Sequence, residues 1–420
     1  MTETQTELTI DRLGHRGDGV AHGPEGEVFA PFTLPGEVVR GEVSGGRMAA
    51  PKIAAPSAHR VKAPCPAFGR CGGCALQHAS DAFVAGWKRD AVAAALAARG
   101  LQAEILETAT SPDRSRRRAV LSGRRTKKTV LLGFHAARDA EIVPLADACP
   151  LLRPEILEGR AGLEALVARA ASRKGELRLS VTVSLNGLDI AATGARPLDG
   201  PLRLDLARLA GEFGWARLVV DDEPIATARP PHQPFGKARV APAPGGFLQA
   251  TAEGEAAILS EIRAVVGKAA RVVDLFCGAG AFALPLAETA EVLAVEGDGP
   301  ALAALEAGWR ATGGALRKVV PLKRDLFRRP LLAAEMKGFQ AAVIDPPRAG
   351  AEAQTAELAA LAAGGMPGPE RIAAVSCNPA TFARDARALV DAGWRMGPVR
   401  PVDQFRWAPH VELTAGFTRG

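Results

Sequence analysis

The sequence predicts an α/β protein whose carboxyl-terminal part is a doubly wound parallel sheet, preceded by a small all-β module and a mixed α+β region. Three observations predict it. From about residue 245 strand and helix patterns alternate without a break; residues 8–60 are short β patterns separated by glycine turns; a cysteine-rich stretch followed by a basic run lies between. The boundaries fall at 1–60, 61–244 and 245–420, three units in a chain of 420 residues, long enough to bury its cores without disulfides. Apolar residues make up 47% and charged ones 23%, which excludes a disordered or fibrous chain.

Taken in order, LTIDRLG, GDGVAHGPEG, EVFAPFTLPGE and VVRGEVSG read as strands with Gly17, Gly19, Gly23 and Gly26 at the corners, the look of a small OB-like β-barrel. Residues 64–78, PCPAFGRCGGCALQH, hold three cysteines, and a helical pattern follows to residue 98. Residues 111–128 carry Arg114, Arg116, Arg117, Arg118, Arg124, Arg125, Lys127 and Lys128 against one acid, Asp113. The net charge of +6 is therefore gathered largely into one run. Interleaved with Val120, Leu121, Val130 and Leu131, these cations read as a strand pair presenting a row of charge to phosphates, which predicts nucleic-acid contact. Residues 154–171 read as a helix and 176–184 as a strand; the rest of 151–240 is of mixed character.

Beyond 245 the alternation runs helix 251–266, strand RVVDLF, a helix from 281, strand EVLAVE, helix 299–311, strands KVVPL and AAVID, helix 352–363, strand IAAVSC and helix 381–392. A closing antiparallel hairpin follows over 399–405 and 410–417. The pattern is Rossmann-like, and ligands of such sheets bind beyond the carboxyl ends of the strands. RVVDLF runs through Asp274 and Phe276 into Cys277-Gly278-Ala279-Gly280. Gly278, Gly280 and Ala283 also satisfy the dinucleotide pattern G-x-G-x-x-G/A, but Asp274 would repel a pyrophosphate and attract the ammonium of a methionine moiety. Glu296, ending the second strand, is placed to accept both hydroxyls of an adenosine ribose, which suits NAD and S-adenosylmethionine alike. Asp274 tips the expectation to S-adenosylmethionine.

Asp345-Pro346-Pro347-Arg348 ends the fourth strand. Enzymes that methylate exocyclic amines carry an aromatic residue at the fourth position of that tetrad, so Arg348 argues against amine chemistry. Cys377 at the tip of the fifth strand is a candidate nucleophile, with a helix amino terminus just beyond to lower its pKa. Cys277, inside the glycine turn, reads as a packing residue. Glu412, in PHVELTA, is a carboxylate in apolar company, whose proton affinity burial would raise, which suits a general base.

Cys65, Cys71, Cys74 and Cys149 remain. Their C-x5-C-x2-C spacing with a distant fourth, and the prolines after Cys65 and Cys149, lack the second knuckle of a zinc ribbon. They are closer to ferredoxin-type ligation, so a 4Fe-4S cluster is expected rather than zinc. MTETQTELTIDR has neither the basic start nor the apolar run of a secretory signal. The longest apolar region, 272–295, is interrupted by Asp274, Glu288 and Glu291, so a cytoplasmic protein with no membrane role is expected.

PCPAFGRCGGCALQH, RRRAVL, FLQAT, DLFCGAGAFALPLA, VEG, DPPRAGA, SCNPATFARDARAL and PHVELTA follow the order found in bacterial RNA uracil-5-methyltransferases that carry an iron–sulfur cluster. Over nearly its whole length the chain resembles that family, and the ribosomal-RNA 5-methyluridine enzymes more than the tRNA enzyme, which lacks the cluster. The resemblance implies a class I S-adenosylmethionine-dependent methyltransferase domain, a TRAM domain at 1–60, a central iron–sulfur and RNA-binding domain, and a monomer acting on 23S ribosomal RNA. It implies that Cys377 adds to carbon 6 of the target uracil, that carbon 5 takes the methyl, and that Glu412 removes the carbon 5 proton. Gln249, Phe276, Glu296 and Asp345 match cofactor-contacting positions beside Asp274 and Gly278, with Asp325 near the adenine; Asp345 is also able to hold the uracil edge. A tRNA uracil-5-methyltransferase and an RNA cytosine-5-methyltransferase, which shares the cysteine adduct, are the alternatives. Two departures are Ala281 and Thr251, where the family commonly has Asn.

Overall fold

A computed structural model describes residues 5–137 and 139–419. In the carboxyl-terminal part β1 (Arg271–Leu275), β2 (Glu291–Glu296), β3 (Val319–Lys323), β4 (Ala341–Ile344) and β5 (Arg371–Ser376) run parallel in the order β3-β2-β1-β4-β5. Their apolar runs are continuous because helices cover both faces, and every residue of β4 is buried. The helices are α1 (Ala252–Val266), α2 (Ala283–Leu286), α3 (Gly299–Arg310), α4 (Glu352–Ala363) and α5 (Pro379–Asp391). Helix α1 begins where Thr251 Oγ1 accepts from the Gly254 N–H at 3.0 Å, buries Ile258, Ile262 and Val266 at four-residue spacing, and stops at Gly267, whose φ is 59°. The helix expected from 281 is the single turn α2. Positive φ at Phe276, Gly278 and Gly280 delays its start, and Pro285 removes an amide from it.

The closing hairpin is longer than its pattern and does not lie outside the sheet as a pair. β6 (Trp394–Asp403) and β7 (Glu412–Arg419) are antiparallel, and β7 inserts between β5 and β6. Ser376 pairs with Leu413 as the last rung, and Cys377 and Glu412 come directly after it on the two chains, where the charge of Glu412 acts on the thiol. The short strand Ala109–Thr110 adds to the outer side of β6. Helix Asp81–Ala97, which the sequence places in 61–244, packs with this sheet: Val92 and Leu96 share a core with Val273, Leu275, Trp394 and Phe417. Its Lys88 is fully buried and pairs with Asp403 at 2.6 Å.

The central sheet has seven strands in the order Ile142–Pro144, Val130–His135, Arg118–Arg125, Leu177–Ser184, Gly187–Thr193, Arg217–Val220, Glu223–Thr227. Helices Arg160–Ala170 and Gly200–Glu212 bury Leu166 and Leu206 in a core with Leu121, Leu132, Val181 and Ile190. The helix expected over 154–171 is divided at Gly159, where a Cβ would stand 2.5 Å from Leu188 Cδ1. The amino-terminal module is two three-stranded sheets over one core of Leu8, Ile10, Ala21, Val28, Val39 and Met48. Among the described residues the two sheets share no paired strands; Phe29 bridges Arg47 in the segment before Lys52–Ala55, and glycines with positive φ turn the chain at Gly17, Gly26, Gly36 and Gly45.

Candidate active site

Glu296 fastens the turn between the tips of β1 and β2. Its Oε2 accepts from the Gly278 N–H at 3.0 Å and its Oε1 from the Asp298 N–H at 2.8 Å, and each oxygen keeps a lone pair for a ribose hydroxyl. Phe276 has a φ of 63°, a strained conformation for a bulky residue, and sets its ring 5.4 Å from that of Phe327. Asp325 lies against Gly297 beyond β2, and its Oδ1 accepts from the Phe327 N–H at 3.0 Å. Ala281 is partly buried and brings no polar side-chain atom; Thr251 is the cap of α1, bonded to Ser111 Oγ at 2.8 Å. Asp274 is completely buried, and among the described residues neither carboxyl oxygen has a full hydrogen bond, the nearest help being the Ala283 backbone, which works against the rise of its pKa. Burial and then the charge of Glu296 push its pKa up to about 8. A buried carboxyl without a partner is costly, and a cationic group arriving beside it would relieve that cost. Asp274, Phe276, Glu296 and Asp325 could thus hold an aminoacyl nucleoside.

At the tips of β4, β5 and β7 three protonatable groups meet. Asp345 follows β4 and accepts from Gln249 Nε2 at 3.4 Å. Glu412 is 4% exposed, and burial pushes it up to about 7 against an opposing contact from the Gln404 amide. Burial, then the charges of Glu412 and Asp274, raise Asp345 well above the ordinary carboxylate range. Cys377 is half-buried; burial and then the charges of Glu412 and Asp345 push its thiol up, with Arg348 working against them. The sequence predicts the opposite, a thiol lowered by the start of α5. Asn378 rather than Cys377 is the cap of α5, so the thiol lies outside the turn where the helix dipole acts, and two carboxyls face it. Cys277 packs in the core under β1.

Side chains tie these loops together. Asn378 caps α5 through Ala380 N–H at 3.1 Å while its Nδ2 donates to the Arg348 carbonyl at 3.1 Å. Arg348 Nη2 donates to His410 Nδ1 at 2.9 Å, and burial with the Arg348 charge lowers the proton affinity of that ring. Gln404 and His410 belong to no expected set. A lone amide at the end of β6 carries no pattern, and its role shows only once β7 has placed Gln249 and Glu412 around it.

The basic run divides. Arg117 is buried: Nη2 pairs with Glu255 Oε2 at 2.6 Å and Nε donates to the Gln249 carbonyl at 3.1 Å. It braces the site from within and presents nothing to a phosphate, which corrects the expectation for that residue. Arg118 donates to the Gly245 carbonyl at 2.9 Å, Arg116 to the Arg118 carbonyl at 3.0 Å, and Arg124 pairs with Glu176 at 2.9 Å. Arg114, Arg125, Lys127 and Lys128 are exposed. Arg116 also lines, with Arg16, Arg47 and Arg70, a cleft of about 1050 Å³ that reaches Phe405 and His410.

Cys65, Cys71, Cys74 and Cys149 are free thiols; burial raises Cys71, Cys74 and Cys149, and the charge of Cys65 adds to the rise of each of these three. Cys74 is pushed up to about 12. Among the described residues no group of three or more His, Cys, Asp or Glu side chains is gathered tightly enough to hold a metal ion. Among the same residues no helix is long and apolar enough to cross a membrane.

The chain is similar to known proteins. The family model for tRNA (uracil-5-)-methyltransferases matches residues 243–419. An uncharacterised RNA methyltransferase of Brucella suis biovar 1 is 43% identical over 421 residues, covering all of both chains. The 23S rRNA (uracil(1939)-C(5))-methyltransferase RlmD of Shewanella piezotolerans is 31% identical over 437 residues, covering 98% of this chain and 95% of that one. Among solved structures, the Pyrococcus abyssi tRNA (uracil-54, C5)-methyltransferase with S-adenosyl-L-homocysteine superimposes with a TM-score of 0.74 at 20% identity, covering 98% of this chain and 99% of that one. The fold is that of an α/β S-adenosylmethionine-dependent methyltransferase. The chain belongs to the RNA uracil-5-methyltransferase family.

Proposed function

We propose that the protein transfers a methyl group from S-adenosylmethionine to carbon 5 of a uridine in 23S ribosomal RNA, with Cys377 as nucleophile and Glu412 as base. The observation that carries this is the end of the β5–β7 pairing, which leaves a thiol and a protonatable carboxyl side by side at the edge of the sheet where Asp274 and Glu296 form a nucleoside cradle. Uracil carbon 5 is too weak a nucleophile unaided. Addition of the thiolate to carbon 6 makes carbon 5 enolate-like; carbon 5 takes the methyl; the base removes the carbon 5 proton and the sulfur–carbon bond breaks. A carboxyl raised to about 7 is matched to accepting that proton near neutrality. The ribosomal target is supported by the near full-length likeness to RlmD. Cys377→Ala is expected to abolish 5-methyluridine formation in RNA from a strain lacking the gene, and undiminished methylation would end the covalent mechanism. Glu412→Gln should accumulate a protein–RNA adduct that survives denaturation. 5-Methylcytidine among the product nucleosides would favour a cytosine-5 enzyme instead, and a modified site mapped to transfer RNA would move the target.

The four cysteines suit a 4Fe-4S cluster better than a single ion. The C-x5-C-x2-C spacing with a distant fourth cysteine supports this reading, since a cubane takes each thiolate at a separate iron. When bound, such a cluster supplies a cross-link between four chain positions, and methyl transfer needs no electron from it. Ala75 and Leu76, just after Cys74, donate to the Trp407 carbonyl at 2.8 and 3.0 Å, so this segment also holds the β6–β7 connection. Broad visible absorbance lost in Cys71→Ser tests the cluster. The amino-terminal module, read as a TRAM domain, and the exposed cations of 114–128 would grip the RNA around the target, in a cytoplasmic monomer.

A further inference from the structure

Gln404 is 1% exposed at the end of β6 and packs against Gly254, where a Cβ would come within 2.6 Å of Gln404 Cβ. The backbone fixes which way its amide points. The Ala250 N–H can only donate, and it meets Gln404 Oε1 at 2.8 Å. Gln404 Nε2 therefore faces the other way and donates to Gln249 Oε1 at 2.5 Å. Gln249 must in turn present its own Nε2 toward Asp345 Oδ2, 3.4 Å away. Turning the Gln249 amide over would set two NH2 groups against each other in a buried contact. Its main chain is held as well, through the carbonyl bonded to Arg117 at 3.1 Å.

A fixed donor and an acceptor consequently stand side by side at the Gln249–Asp345 edge. Uracil offers a carbonyl acceptor at position 4 beside an N–H donor at position 3; cytosine offers the reverse, an amino donor beside a ring-nitrogen acceptor. A base whose carbon 6 meets Cys377 and whose carbon 5 faces Glu412 turns that edge toward Gln249 and Asp345. We propose that Gln404 is the positioning residue that makes the site select uracil over cytosine, by locking the Gln249 amide with its NH2 toward the base. This rests on the chain acting as an RNA pyrimidine-5-methyltransferase through Cys377.

Gln404→Glu tests it with little change of shape. Once ionised, the introduced carboxylate still accepts from the Ala250 N–H but cannot donate to Gln249, whose amide is then expected to turn and offer its oxygen to the base, so rates are compared across a pH series that carries the introduced carboxyl through its titration. Two transcripts spanning the site mapped with the wild-type protein, differing only in U or C at that position, serve as substrates. The variant is expected to lose about 10- to 100-fold in kcat/KM on the uridine transcript, with the uridine-to-cytidine preference falling at least about tenfold. A residue that only supported the fold would lower both rates together and leave the ratio in place, so an unchanged ratio overturns the inference. Should Gln404→Glu fail to fold, Gln249→Glu places an acceptor at the edge directly and is expected to collapse the same ratio. Wild-type protein that methylates both transcripts equally well overturns the inference alone; wild-type protein that methylates no RNA overturns the underlying reading and the inference with it.

Discussion

Cys377 is held as a thiol by burial and then by the carboxyls beside it, so the nucleophile has to be generated after the site fills. The sulfonium of S-adenosylmethionine, arriving at this edge of the sheet, would offset the charges of Glu412 and Asp345 that raise the thiol; the neutral thioether of the spent cosubstrate would not. Alkylation of Cys377 by iodoacetamide, followed by mass spectrometry, is expected to set in at lower pH with S-adenosylmethionine than with S-adenosylhomocysteine, and coincident profiles would refute charge activation. Glu412 has the opposite requirement, since it must lose its proton to act. Its folded value of about 7 lies above the ordinary 4.5, so the native state holds the proton more tightly than the unfolded chain. The stability it confers is complete below 4.5 and is lost as the pH rises through about 7, while the elimination step gains rate over the same rise. Glu412→Gln is expected to remove that loss, gaining on the order of 2 kcal/mol in urea unfolding above neutrality and little at acid pH.

Among the elements, helix Asp81–Ala97 and β6 are joined by an ion pair out of reach of water. Lys88 donates to Asp403 at 2.6 Å and to the Phe405 carbonyl at 3.2 Å, and Asp403 in turn accepts from the Phe405 N–H at 3.0 Å, which shapes the start of the β6–β7 connection. Lys88→Met strands a buried carboxylate and is expected to cost about 3–5 kcal/mol in urea unfolding, while Lys88→Met with Asp403→Leu should recover part of it. None of this was legible in the sequence, because a single lysine in a helical pattern reads as a surface residue. The parallel strands were legible because burial on both faces writes an unbroken apolar run such as AAVI. Strand order was not: periodicity shows that 410–417 is a strand but not that it inserts beside β5, and the burial of Glu412 and its place beside Cys377 depend on that insertion. Arg117 fails for a related reason, since charge along a strand shows which residues are cations but not which of them turn inward to meet Glu255.

Across the whole molecule the amino-terminal module, the cysteine loop, the central sheet and the β6–β7 connection enclose one cleft of about 1050 Å³, lined by Arg16, Arg47, Arg70 and Arg116 and ending at Phe405 and His410. His410 touches Arg348, and Arg348 is bonded through its carbonyl to Asn378, so hydrogen bonds link the end of the cleft to the segment that carries Cys377. Two of its arginines are only loosely engaged, Arg47 with Asp18 at 3.7 Å and Arg70 with Glu141 at 3.4 Å, and both partners are easily exchanged for phosphate. Cations that meet phosphates release counterions, so removing one such cation should flatten the dependence of log affinity on log salt by about 0.7–0.9. Anisotropy titrations of a labelled target transcript with Arg47→Ala and Arg70→Ala combined are expected to lower that slope by nearly twice as much while S-adenosylhomocysteine affinity stays unchanged. Arg117→Ala is expected to do the reverse, keeping the slope and lowering stability, because its charge is spent on Glu255. A slope carried instead by Lys127→Ala and Lys128→Ala would place the RNA on the hairpin beyond Arg125 rather than in the cleft.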